Sequence, residues 1–108
     1  MIVTEFVLGD NGEATIKLLP VNMLDTPAEV ENVDFKSSDE DVALTVDIND
    51  HMVFRATSGT IDEEKDVTLH LEADGKLGEG TSQISKDLLC HLRRREAADV
   101  KFDVNIVK

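Results

Sequence analysis

The side chains best equipped for chemistry are His51, His70 and His91, the single Cys90, the carboxylate runs Asp39-Glu40-Asp41 and Asp62-Glu63-Glu64, and the cationic block Arg93-Arg94-Arg95. General acid–base catalysis needs two carboxylates in different environments, whereas neighbours in one loop share the same water. The acidic runs therefore read as solvated charge, with a weak calcium site as the alternative. Asp74-Gly75 is not followed by the ligands and terminal Glu that a calcium loop requires. The histidines are far apart and no second ligand pair accompanies them, so they read as surface residues rather than zinc ligands. Cys90 has the inward parity of its segment and no Cys-His motif, which fits a small buried hydrophobe better than a nucleophile. Gly78-Glu79-Gly80 is too sparse to cradle a phosphate. The expectation is a protein with no catalytic residues, no metal site and no cofactor, hence not an enzyme.

Arg93, Arg94 and Arg95 run against the charge of the rest of the chain. Guanidinium forks pair well with carboxylates, so the block is a candidate docking site for an acidic patch on a protein partner; the plain alternative is a solvated loop tip.

These side chains must be positioned by strands, because period-two alternation dominates the apolar pattern. Val42, Leu44, Val46 and Ile48 recur at every second position, as do Met52, Phe54 and Ala56, then Val67, Leu69, Leu71 and Ala73, and finally Val100, Phe102, Val104 and Ile106. Polar residues fill the gaps, so each segment predicts a ribbon with one wet face. Ile2 to Leu8, Glu13 to Val21, Val33 with Phe35, and Ser82 to Leu92 extend the set to about eight strands. Ser85 to Ala98 also suits a helix, the competing reading for that stretch. Gly9-Asp10-Asn11-Gly12 and Asn49-Asp50 read as tight hairpins, and Ser58-Gly59, Asp74-Gly75 and Gly78-Glu79-Gly80 as further bends. Leu24-Asp25-Thr26-Pro27 reads as a solvated loop. Short strands with frequent turns predict two sheets packed as a sandwich, or a small barrel.

The length of 108 residues suits one domain over 1–108. Eleven Lys and Arg against twenty-three Asp and Glu give a net charge of −12, which repels nucleic acid and anionic membrane surfaces. No apolar run approaches the roughly 18 residues of a membrane helix. If Met1 is the natural start, Ile2 to Leu8 shows no basic leader and no cleavage site, and a lone cysteine needs no oxidising compartment. Cytosolic synthesis without export is the expectation.

The stretch Val33-Asp34-Phe35-Lys36-Ser37-Ser38-Asp39-Glu40-Asp41-Val42-Ala43 resembles the strand–turn–strand motif of bacterial group 2 immunoglobulin-like domains. Short polar side chains in Ser-Ser-Asp can hold such a corner by bonding nearby backbone amides. Leu19-Pro20-Val21, Thr26 to Val30, Val67-Thr68-Leu69, Glu72 to Gly80 and Ala97 to Val100 follow in an order similar to the short single-domain immunoglobulin-like proteins encoded among structural genes of tailed bacteriophages and prophages. Phe35 stands where that family often has Trp, and Leu89 to Glu96 is unusually long and basic. The resemblance implies an all-β, immunoglobulin-like β-sandwich of seven to eight antiparallel strands. It also implies a virion accessory, either a capsid decoration protein or a tail-associated domain, present in multiple copies on a major capsid or tail protein. A cell-surface or periplasmic adhesion or carbohydrate-binding module is the alternative; the absence of Trp and Tyr counts against saccharide binding.

Overall fold

The computed structural model describes residues 3–76, 80, 82–95 and 99–108. It contains seven strands and, among the described residues, no helix: β1 (Glu5–Leu8), β2 (Glu13–Lys17), β3 (Glu31–Ser37), β4 (Val42–Val46), β5 (Val53–Ser58), β6 (Lys65–Asp74) and β7 (Gln83–Leu92). One sheet runs β1-β7-β6-β3 and the other β2-β5-β4. All ladders are antiparallel except β1 against β7, which is parallel.

The alternating side chains close on each other between the sheets. Leu8, Val42, Ala56, Ile61, Val67, Leu69, Cys90 and Leu92 form one buried cluster drawn from both sheets, with Phe6, Ile16, Phe35 and Leu44 packed around it. Phe35 and Phe54 meet edge to face across the gap, ring centres 5.1 Å apart, the favoured aromatic arrangement. The long β6–β7 hairpin forms the spine, paired from Lys65↔Leu92 to Asp74↔Gln83. Its turn is held by the buried Asp74, whose carboxylate accepts from the amides of Lys76 and Ser82, each at 2.9 Å. Those bonds, Ser82 first, hold the carboxyl below the usual range.

The chain changes sheet between β3 and β4 through Ser37-Ser38-Asp39, and the expected backbone anchoring is present. Ser37 Oγ donates to the Asp39 carbonyl at 2.8 Å, Thr68 N donates to Ser38 Oγ, and Asp41 N donates to Asp39 Oδ1. Lys65 completes the corner, its amine 2.9 Å from Asp39 and 2.5 Å from Asp41. The run Asp39-Glu40-Asp41 is thus only partly the solvated charge expected of it.

Several expectations need correction. Val100, Phe102, Val104 and Ile106 do not form a strand; all four are exposed and residues 99–108 carry no backbone ladder. Alternation shapes a ribbon, but a strand exists only where a neighbour satisfies its backbone groups. The described residues thus hold seven strands, within the seven to eight expected, with the 100–106 segment not among them. Gly9 to Gly12 is not a hairpin between paired strands: it passes β1 in one sheet to β2 in the other, with positive φ at Asn11 (49°). Asn49-Asp50 is part of a longer connection from Asp47 to Met52, organised by Asp47 Oδ1, which accepts from Asn49 N and Asp50 N. Glu13 to Val21 pairs only as far as Lys17, and Val21 makes an isolated bridge to Pro27. Ser85 to Leu92 is strand, not helix. Ile2, Gly78 and Glu79 lie outside the described residues, as does the stretch 96–98 of the helical alternative.

Candidate functional site

The three arginines sit where β7 ends, and the fold uses them unequally. Arg93 extends the ladder by donating its amide to the Leu8 carbonyl at 3.1 Å. Its guanidinium reaches the carbonyls of Lys65 and Leu92 and Asp66 Oδ1, at 3.2, 2.8 and 3.1 Å. Arg94 and Arg95 are tied through their backbones: Arg94 N donates to Glu64 Oε2 and Arg95 N to Asp10 Oδ2. Asp10 also accepts from Ile61 N at 2.7 Å, and these amides, Arg95 first, hold its carboxyl low. Glu64 and Asp10 thus fasten the segment that follows β7, while Arg94 and Arg95 remain exposed. The Arg95 side chain lies over Gly9, where an added Cβ would come within 2.4 Å of its Nε. Glycine at position 9 lets the arginine cross the β1–β2 turn.

His70 and His91 lie on the outer face of the β6–β7 ladder, each paired with carboxylates rather than with the other. His70 stands opposite Asp87 and His91 opposite Asp66 on the β6–β7 ladder. His70 Nδ1 is 2.5 Å from Asp87 and its Nε2 3.2 Å from Glu72. His91 Nδ1 is 2.7 Å from Asp66 and its Nε2 3.5 Å from Glu5. Both imidazoles are held above their usual range, His70 chiefly by Asp87 and His91 chiefly by Asp66. Asp66 is correspondingly held low, first by His91 and then by Arg93. Glu5, His91, Asp66 and Arg93 thereby form one line of alternating charge across β1, β7 and β6. This reads as cross-strand pairing that fixes register. His51 is exposed in the β4–β5 connection.

Cys90 is fully buried, and burial pushes its thiol up, away from the thiolate a nucleophile needs. Among the described residues, no three His, Cys, Asp or Glu side chains converge as a metal site. No helix among them is long and apolar enough to cross a membrane.

Two surface features add to the sequence reading, the first unforeseen and the second a detail of the loop expected at Leu24 to Pro27. A cleft of about 530 Å³ opens between β3 and the far end of β4, lined mainly by Val33, Phe35, Val46, Met52 and Phe54. The available signal was the alternation of Val42 to Ile48, which continues past the last residue that a facing strand can cover. The second is the β2–β3 loop. Asn22 Oδ1 accepts from Leu24 N and Thr26 N, and the resulting turn, with Asp25 at φ 60°, leaves Met23 and Leu24 exposed.

Comparison with known proteins matched no family model, no curated protein and no solved structure.

Proposed function

We propose that this chain is an immunoglobulin-like domain serving as a non-enzymatic accessory of a phage virion, a capsid decoration or tail-associated protein that docks on a larger protein assembly. The fold part draws support from the strand partition. In an immunoglobulin sandwich the second, fifth and fourth strands share one sheet while the third, sixth and seventh share the other. The sheets β2-β5-β4 and β7-β6-β3 follow that division, with β1 placed beside β7. The resemblance carried by the order of motifs from Leu19-Pro20-Val21 to Ala97-Ala98-Asp99-Val100 supplies the virion context.

The observation that carries docking is the arginine pole: two exposed arginines, on a backbone fastened by Glu64 and Asp10, in a chain of net charge −12. A fastened backbone lowers the ordering cost of presenting forked donors to carboxylates, and arginine is enriched at protein interfaces. Arg94 and Arg95 are the docking side chains in this reading, and Arg93 positions them.

The test is the protein content of particles purified from the phage or prophage that encodes the chain. The chain should be present in many copies, and Arg94→Glu with Arg95→Glu should remove it from particles while its circular dichroism is unchanged. Particles without the wild-type chain, or full occupancy by the double variant, refute the proposal.

A further inference from the structure

We infer that residues 99–108 of one copy add as a strand to the open edge of β4 in a second copy and close its cleft. This goes beyond the virion reading and does not depend on it. The donor is a stretch with no ladder of its own in which Val100, Phe102, Val104 and Ile106 alternate with Asp99, Lys101, Asp103 and Asn105, so that as a strand it has one apolar and one polar face; Phe102 is 89% exposed. Such a ribbon presents the backbone groups and alternate apolar side chains that strand addition uses.

The acceptor has the complementary defect. Among the described residues β4 pairs only with β5, which leaves its other edge open. Asp47 N donates across to the Val53 carbonyl, and by antiparallel alternation Leu44 and Val46 aim their backbone groups at the open side. Cover fades along the same strand: Val42 is buried, Val46 is 49% exposed and Ile48 is 90% exposed, beside the cleft floored by Phe35 and Phe54. The other edges are less suited. β1 has four residues, β3 is interrupted by a register shift at Asn32, whose φ is 54°, and the inward side chains of β2, Ala14 and Ile16, are already half-buried.

An antiparallel register that sets Phe102 beside Val46 also sets Val100 beside Ile48, Val104 beside Leu44 and Ile106 beside Val42. On the outer face it brings Lys101 to Asp47 with no like-charge pair, and just past the end of β4 it brings Lys108 opposite Glu40. A shift by two residues in one direction sets Asp103 against Asp47; in the other it leaves Ile48 uncovered. The chain's own ribbon cannot adopt this register. It leaves the sandwich at the pole of Asp10 and Lys65, where β4 begins, and would run parallel to its own β4. From Arg95 to Asp99 the backbone reaches at most about 14 Å, short of the roughly 20 Å to the far end of β4. The ribbon therefore comes from another copy.

Sedimentation equilibrium of the full chain tests this. Wild type should self-associate reversibly, more strongly at high salt because two copies of charge −12 repel. Phe102→Asp removes the donor and Ile48→Asp the acceptor; both sites are exposed, so circular dichroism should not change. Each variant alone should bind itself about 10- to 100-fold more weakly. Their equimolar mixture should form a 1:1 heterodimer about 10-fold or more tighter than either variant with itself, because one supplies an intact acceptor and the other an intact ribbon, which restores one complete contact. Wild type that stays monomeric at every concentration and salt, or a mixture of folded variants that does not pair, overturns the inference.

Discussion

Replacing Leu69 by Ala removes three carbons from the middle of the interface between the sheets. Leu69 has no exposed surface, lies in the central pair of the β6–β7 ladder opposite Leu88, and belongs to the cluster that joins both sheets. Buried leucine-to-alanine changes cost about 2–5 kcal/mol, at the upper end where the surroundings cannot collapse. A site between two hydrogen-bonded sheets collapses poorly, so a loss of about 3–4 kcal/mol follows. At roughly 4 °C per kcal/mol for a domain of this size, the melting temperature should fall by about 12–16 °C. Val104→Ala is the matched control. Val104 shares the period-two pattern but is 75% exposed, and surface truncations stay within about 0.5 kcal/mol. Thermal melts at sub-micromolar concentration, where chains are separate, should show a large drop for Leu69→Ala and almost none for Val104→Ala. Equal drops would place the C-terminal ribbon inside the sandwich and refute this account of which alternating segments are core.

Other consequences can be checked with the same material. At Gly12 an added Cβ would lie 2.8 Å from the Gly9 carbonyl and 2.9 Å from Leu8 Cδ1, whereas at Gly59 it meets nothing within 4 Å. Gly12→Ala should cost about 1–3 kcal/mol by overpacking, and Gly59→Ala should be neutral or gain up to about 1 kcal/mol, both read from urea midpoints. The His70 and His91 pairs stabilise the fold fully below the free imidazole value of 6.5, and their contribution is lost as pH rises through the raised folded values. The wild-type urea midpoint should therefore decline as pH rises above 6.5, and His70→Gln with His91→Gln should flatten that slope; an unaltered slope assigns it to other groups. Cys90, buried and the only thiol, should react with a thiol reagent no faster than the domain unfolds. Rapid labelling under native conditions would contradict its place in the core.

Period-two spacing located most of the fold. Val67, Leu69, Ala73, Cys90 and Leu92 occupy the buried parity that alternation assigned them. The Ser37-Ser38-Asp39 corner was legible because its hydrogen bonds are local, made within a few residues of the side chains that supply them. What alternation cannot carry is the identity of the neighbour. Val100 to Ile106 repeats the pattern of Val67 to Ala73 but has no edge beside it, and Val46 and Ile48 continue an inward stripe beyond the reach of the opposing sheet. The arginine block illustrates the same limit. Its charge is plain in the sequence, but that Arg93 is bound into the fold while Arg94 and Arg95 stand out depends on Asp66, Glu64 and Asp10, which long-range pairing brings there.

Both functional proposals require one arrangement, a closed two-sheet body with contact elements left outside it. Amide hydrogen exchange of the dilute wild-type chain, read by mass spectrometry on short peptides, tests that arrangement most directly. Slow exchange should map to the β6–β7 spine and the strands paired with it, and residues 99–108 should exchange completely at the earliest times. Protection of 99–108 comparable with that of β6 in the dilute monomer would contradict the account.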